Sequence, residues 1–80
     1  MAHSILIVDD EQGIRRSLTS ILSEEGYEVE SVATGEDCRA RLARSPVDVV
    51  LLDVWLPKLD GLQTLDLMRQ NGPLPMVLMI

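Results

Sequence analysis

The sequence is short of cysteine, of basic residues and of long apolar runs. Cys38 is its only cysteine, so no internal disulfide can form, and its place in a helical pattern beside Arg39 and Arg41 reads as that of a partly buried helix residue. Seven Lys and Arg stand against thirteen Asp and Glu, a formal net charge of −6. This balance argues against direct nucleic-acid binding, because neutralising phosphates takes a basic face. A cation site or a basic protein partner suits it better. Apolar runs last only a few residues, far short of the ~20 that cross a bilayer. The opening MAHSILIVDD has no basic region, long apolar stretch or small-residue cleavage site, so no secretory leader is expected and the chain reads as cytoplasmic. Internal repeats and low-complexity segments are also missing.

With 46% hydrophobic and 25% charged residues in a chain of 80, the composition is that of one small globular domain. Ser4 to Val8 is branched and apolar without alternation, the pattern of a strand covered on both faces of a parallel sheet. From Gln12 the period changes to helical: Ile14, Leu18, Ile21 and Leu22 form a stripe with Arg15, Arg16, Ser20 and Glu24 off it, and Gly26 is a stop. YEVESV, residues 27–32, mixes apolar and acidic positions and reads as an edge strand. Thr34 and Asp37 offer a hydroxyl and a carboxylate to the start of a helix that runs through Arg44 and stops at Ser45-Pro46. VDVVLLD, residues 47–53, is a third strand. VWLPKLDG, residues 54–61, is a loop in which Asp60 can cap a helix over Leu62, Leu65 and Met68, ended by Gly72-Pro73. MVLMI, residues 76–80, is a fourth strand. This β-α-β-α-β-α-β order with short links predicts right-handed crossovers and a doubly wound parallel sheet with helices on both faces.

Two of these apolar strands end in aspartate. In parallel α/β sheets ligands bind beyond the carboxyl ends of the strands, so Asp9, Asp10 and Asp53 converge if the first and third strands are neighbours. At ~4 Å two like charges repel by about 4 kcal/mol at an effective dielectric near 20, and a cation is expected there. All the candidate ligands are hard oxygens, with no histidine or thiolate in the pattern, which favours Mg²⁺ or Mn²⁺ over zinc or copper. Such an ion can hold a phosphoryl group while a carboxylate oxygen attacks phosphorus in line. Asp53, alone at its strand end, is the candidate acceptor, and Asp9 and Asp10 a paired metal platform. The plainer reading is that each aspartate caps the next helix.

The acidic pair Asp9-Asp10, Asp53 after the third strand, and the spacing Asp53-x-x-x-Pro57-x-x-Asp60-Gly61 together resemble the receiver domain of two-component response regulators, over the whole chain. The resemblance implies a flavodoxin-like fold with strand order 2-1-3-4-5. It implies that Asp53 accepts phosphate from a phosphohistidine on a sensor histidine kinase. Asp10, Asp53 and the main-chain carbonyl of Trp55 would ligate Mg²⁺, with Asp9 acting through water. The Trp55 side chain would either restrict attacking water or be a half-buried loop aromatic. Within the family, LLDVWLPKLDGLQ looks like the receivers of nitrogen-regulation-type, sigma-54-dependent transcriptional activators.

Family receivers carry a Ser or Thr after strand four, a fifth strand with a lysine, and two further helices, whereas this sequence stops at Ile80. The expectation is an incomplete receiver with a weakened phosphotransfer step, since losing a contact to the phosphoryl oxygens can cost on the order of 3 kcal/mol. Lys58 lies in a different loop and reads as solvated. Self-association through the uncovered fourth strand and first helix is a further expectation. Two alternatives compete with the phosphoacceptor. One is a fragment that only self-associates; the other is an aspartyl-nucleophile phosphatase of the haloacid-dehalogenase kind. The second is disfavoured because Trp55 stands where those enzymes have another aspartate, so the chain reads as a phosphoacceptor with at most self-catalysed phosphorylation and dephosphorylation, not as an enzyme.

Overall fold

A computed structural model describes residues 2–56, 60–70 and 74–80. The apolar run Ser4–Val8 forms β1, with Ile5, Leu6, Ile7 and Val8 all buried, as a strand covered on both faces requires. It is followed by α1 (Gln12–Glu24), β2 (Glu28–Val32), α2 (Gly35–Arg44), β3 (Val49–Leu52), α3 (Gly61–Gln70) and β4 (Met76–Met79). The strands are parallel in the order β2-β1-β3-β4, so β1 and β3 are neighbours and β2 lies at an edge, as expected. The strand order turns back after β2, and with right-handed crossovers this puts α1 on one face of the sheet and α2 and α3 on the other. Leu6, Val8, Val50 and Leu52 join Cys38, Leu56 and Met68 in the core beneath α2 and α3.

Element ends follow local chemistry. Gly26 takes φ 93°, and its N–H donates to the Ser23 carbonyl while that of Tyr27 donates to Leu22. These two bonds close α1 in a Schellman motif, which glycine adopts without a Cβ penalty. Because Tyr27 is used in this way, β2 begins at Glu28, one residue later than the pattern implied. The Thr34 hydroxyl accepts from the Asp37 N–H at 3.0 Å and caps α2. Ser45, extended ahead of Pro46, ends α2. β3 is shorter than its apolar run: its ladder starts at Val49, because Asp48 turns its carboxylate onto β1. The expected stop at Gly72-Pro73 lies outside the described residues.

Two polar clasps tie the sheet. Arg41 forks onto Glu30 through Nε to Oε2 at 2.8 Å and Nη2 to Oε1 at 2.9 Å, joining α2 to the edge strand and holding the Glu30 carboxyl below its usual range. At the amino ends of the strands, the Ser4 N–H donates to Asp48 Oδ2 at 2.7 Å and the Asp48 N–H to Ser4 Oγ at 3.0 Å, with His3 Nδ1 3.5 Å from the same carboxylate. Bonding to Ser4 first, and the His3 charge after it, depress the Asp48 carboxyl. A depressed acid contributes stability above its unfolded range and loses it as pH falls through the folded value. Asp48→Asn should therefore flatten the acid limb of stability against pH in urea unfolding, leaving the neutral region less affected.

The expectation for Cys38 needs correction: it is not partly buried but fully enclosed, at 0% exposure, and burial pushes its thiol up to about 11. The folded thiol thus keeps its proton where the unfolded one has lost it, so this group lowers stability as pH rises above the ordinary thiol range. A disulfide-exchange reagent at mildly alkaline pH should label Cys38 slowly in the folded chain and rapidly in urea; equal rates would contradict the enclosure.

Candidate cation site at the strand tips

Val8 and Leu52 are the last register partners of β1 and β3. Each strand then takes one more step, to Asp9 and to Asp53, and the Asp53 N–H donates back to the Val8 carbonyl at 2.9 Å. Equal strand ends in a parallel pair thus bring residues distant in sequence level with one another. Asp9, Asp10 and Asp53 each offer a carboxylate oxygen, and these oxygens lie within 4.8 Å of one another.

The three carboxylates differ in setting. Asp9 is 5% exposed, Asp53 half-buried and Asp10 exposed. Asp9 Oδ1 accepts from the Glu11 N–H at 2.9 Å, and Asp53 Oδ1 from the Trp55 N–H at 2.9 Å, so each acid is steadied by an amide two residues on. Among the described residues no side-chain oxygen is both buried and unpartnered, so the remaining oxygens of the cluster stay open to water. Open, hard, anionic oxygens with no soft donor among them suit a Mg²⁺-like ion that keeps part of its hydration shell.

Asp60 and Gly61 support this corner from below. Asp60 Oδ1 accepts from the Gln63 N–H at 2.8 Å, and Gln63 Oε1 accepts from the Asp60 N–H at 3.0 Å. This reciprocal box caps α3 as expected of Asp60, and the part played by Gln63 was legible in the Asp60-x-x-Gln63 spacing but not drawn from it. Gly61 was expected in the loop; it is instead the first residue of α3, and it is buried. A Cβ there would lie 2.5 Å from the Asp53 carbonyl oxygen and 2.8 Å from Val54 Cα. Only a residue without a side chain lets α3 start against the backbone that carries Asp53.

Trp55 is 85% exposed, which corrects the reading of a half-buried aromatic: its amide is tied down by Asp53 while its ring projects into solvent. With Asp10, Val54, Leu56, Asp60 and Leu62 it lines an open cleft of about 490 Å³ beside the carboxylates. Pro57 and Lys58 lie outside the described residues. Arg15, placed off the apolar stripe of α1, donates from Nη1 to the Asp9 carbonyl at 2.8 Å, a reach that no periodicity signals.

Residues 5–80 match the family described as the response regulator receiver domain. The chain belongs to that family. This receiver is similar to the nitrogen assimilation regulatory protein NtrX of Azorhizobium caulinodans, 39% identical over 82 positions that cover 100% of the chain and 18% of the relative. The solved NtrX of Brucella abortus is 40% identical with TM-score 0.88, over 99% of the chain and 18% of that protein. The N-terminal domain of a receiver protein from Methanoculleus marisnigri is 32% identical with TM-score 0.87, over 99% and 66%. The receiver described here thus spans under a fifth of the NtrX proteins.

Gly61→Ala should destabilise the chain by about 1–3 kcal/mol, as overpacking does, in urea unfolding. A neutral result would mean that α3 can withdraw from the Asp53 peptide at no cost.

Proposed function

We propose that the chain is a phosphoacceptor, taking a phosphoryl group from a sensor histidine kinase onto Asp53, and that its parent protein controls transcription. The observation that carries this reading is the meeting of Asp9, Asp10 and Asp53 at the tips of β1 and β3. Asp10, Asp53 and the main-chain carbonyl of Trp55 would hold Mg²⁺ or Mn²⁺ directly and Asp9 would hold it through water. The bound ion would neutralise charge between the carboxylates and the phosphoryl oxygens.

Asp53 supplies the nucleophile. One of its oxygens forms the new P–O bond as the P–N bond of the phosphohistidine breaks, and the displaced imidazole keeps the electron pair. The Trp55 amide, bonded to Asp53 Oδ1, fixes the carboxylate plane and leaves Oδ2 to attack. Asp9, steadied by the Glu11 amide, adds negative charge to the site. Asp60 and Gly61 shape the helix start beneath the acceptor. The likeness to NtrX proteins supports a sigma-54-dependent activator as the parent, and a cytoplasmic setting follows from that role. Among the described residues no helix is long and apolar enough to cross a membrane.

A second reading, self-association, rests on apolar side chains beyond the core. Met76 of β4 is 64% exposed and Ile21 of α1 56%, with Leu78, Ile80 and Ile14 also exposed. No residue of α1 is fully buried. Apolar surface of this kind favours pairing of two copies through β4 and α1.

Incubation with Mg²⁺ and a small acyl phosphate should add one phosphate by intact mass, and both Asp53→Asn and removal of the metal should abolish the adduct. Continuous release of phosphate would instead indicate a phosphatase. No adduct on the unaltered chain would leave the self-association reading, which a concentration-dependent mass in light scattering would support.

A further inference from the structure

Arg15 stands where a helix disfavours it. It closes the first turn of α1, beside the positive end of the helix dipole, in a helix with no acidic residue in that turn. A residue that breaks a local rule is held by something else, and here that is the loop ahead of the helix. The side chain runs back toward the amino end, the direction helical side chains take, and Nη1 donates to the Asp9 carbonyl oxygen at 2.8 Å in a part-buried setting. That carbonyl belongs to the peptide that joins Asp9 to Asp10. Its plane sets the direction in which the Asp10 side chain leaves the backbone. The Asp9 side chain is already held by the Glu11 amide, so Arg15 is the partner that orients the other half of the acidic pair.

We propose that Arg15 is a positioning residue for the divalent cation: by fixing the Asp9-Asp10 peptide it aims the Asp10 carboxylate at Asp53, and so sets how tightly the three acids bind Mg²⁺. The inference rests on the cation reading of the site given above. Arg15 touches neither the ion nor the phosphoryl group. It acts through one backbone bond, in the way that outer partners of metal ligands hold those ligands in place. Its positive charge also offsets part of the mutual repulsion of the acids when no ion is bound.

The test is a Mg²⁺ titration followed by fluorescence of Trp55, the only tryptophan, whose amide is bonded to Asp53. Arg15→Met keeps most of the stem but neither the donor nor the charge, and Arg15→Gln is too short to reach the carbonyl. Each should weaken Mg²⁺ binding about tenfold or more, the usual scale for losing an outer partner. Arg15→Lys, which can still donate to the Asp9 carbonyl, should restore affinity close to that of the unaltered chain. Cooperative thermal unfolding without divalent ions separates lost positioning from lost fold, and the Lys rescue is what a merely structural side chain would not give. Unchanged or tighter Mg²⁺ binding in the Met and Gln variants would overturn the proposal while leaving the cation site standing. If the unaltered chain gives no Mg²⁺ response that Asp53→Asn removes, the cation reading falls, and this inference with it.

Discussion

One hydrogen bond sets the position of everything chemical in this molecule: the Asp53 amide to the Val8 carbonyl, 2.9 Å, the last rung between β1 and β3. Side chains alternate along a strand, so a slip of one residue would carry Asp53 to the opposite face of the sheet and break up the acidic cluster. The register resists slipping because β1 is buried from Ile5 to Val8 and β3 buries Val50 and Leu52. Leu6, Val8, Val50 and Leu52 pack into one cluster, and exposing any one of them costs roughly 1.5–3 kcal/mol. That burial stabilises a site whose own charges oppose it. Three carboxylates within 4.8 Å repel one another, and the apolar ladder behind them helps to keep them together when no cation is present.

The two ends of the sheet use the same residue type for opposite ends. At the amino ends one oxygen of the exposed Asp48 takes both the Ser4 amide at 2.7 Å and the hydroxyl at 3.3 Å, and so fastens β1 to β3. At the carboxyl ends, Asp9 and Asp53 each receive one amide and keep an oxygen in contact with water. Asp48 bonds across to another strand and serves as a staple, whereas Asp9 and Asp53 bond only within their own turns and gather with a third carboxylate at the tips. This contrast, more than the number of acids, is what separates the candidate site from the rest of an acidic surface.

Most of the architecture was legible because it rests on short-range patterns. The unbroken apolar runs ending in Asp9 and Asp53, the period change after Gln12, and the stops at Gly26 and Ser45-Pro46 each state a local preference, and the fold obeys them. What escaped depends on where distant segments touch. Nothing near Gly61 in the chain says that the Asp53 carbonyl will sit against it. The complete enclosure of Cys38 comes from strands that precede and follow its helix. A half-buried ring was one of two readings of Trp55, yet its amide is bonded to Asp53 while its ring is 85% exposed. Arg15 looked like one more charge off the apolar stripe until the loop before its helix folded back to meet it.

The bare glycine at the head of α3 has a mechanical consequence. With no Cβ between them, the first turn of that helix and the Asp53 peptide meet backbone to backbone, joined also by the Gly61 amide to the Val54 carbonyl at 3.2 Å. Side chains can absorb a displacement by changing rotamer; two main chains in van der Waals contact cannot. A displacement of the Asp53 peptide would therefore meet the backbone of α3 directly, with no side chain between them to take it up.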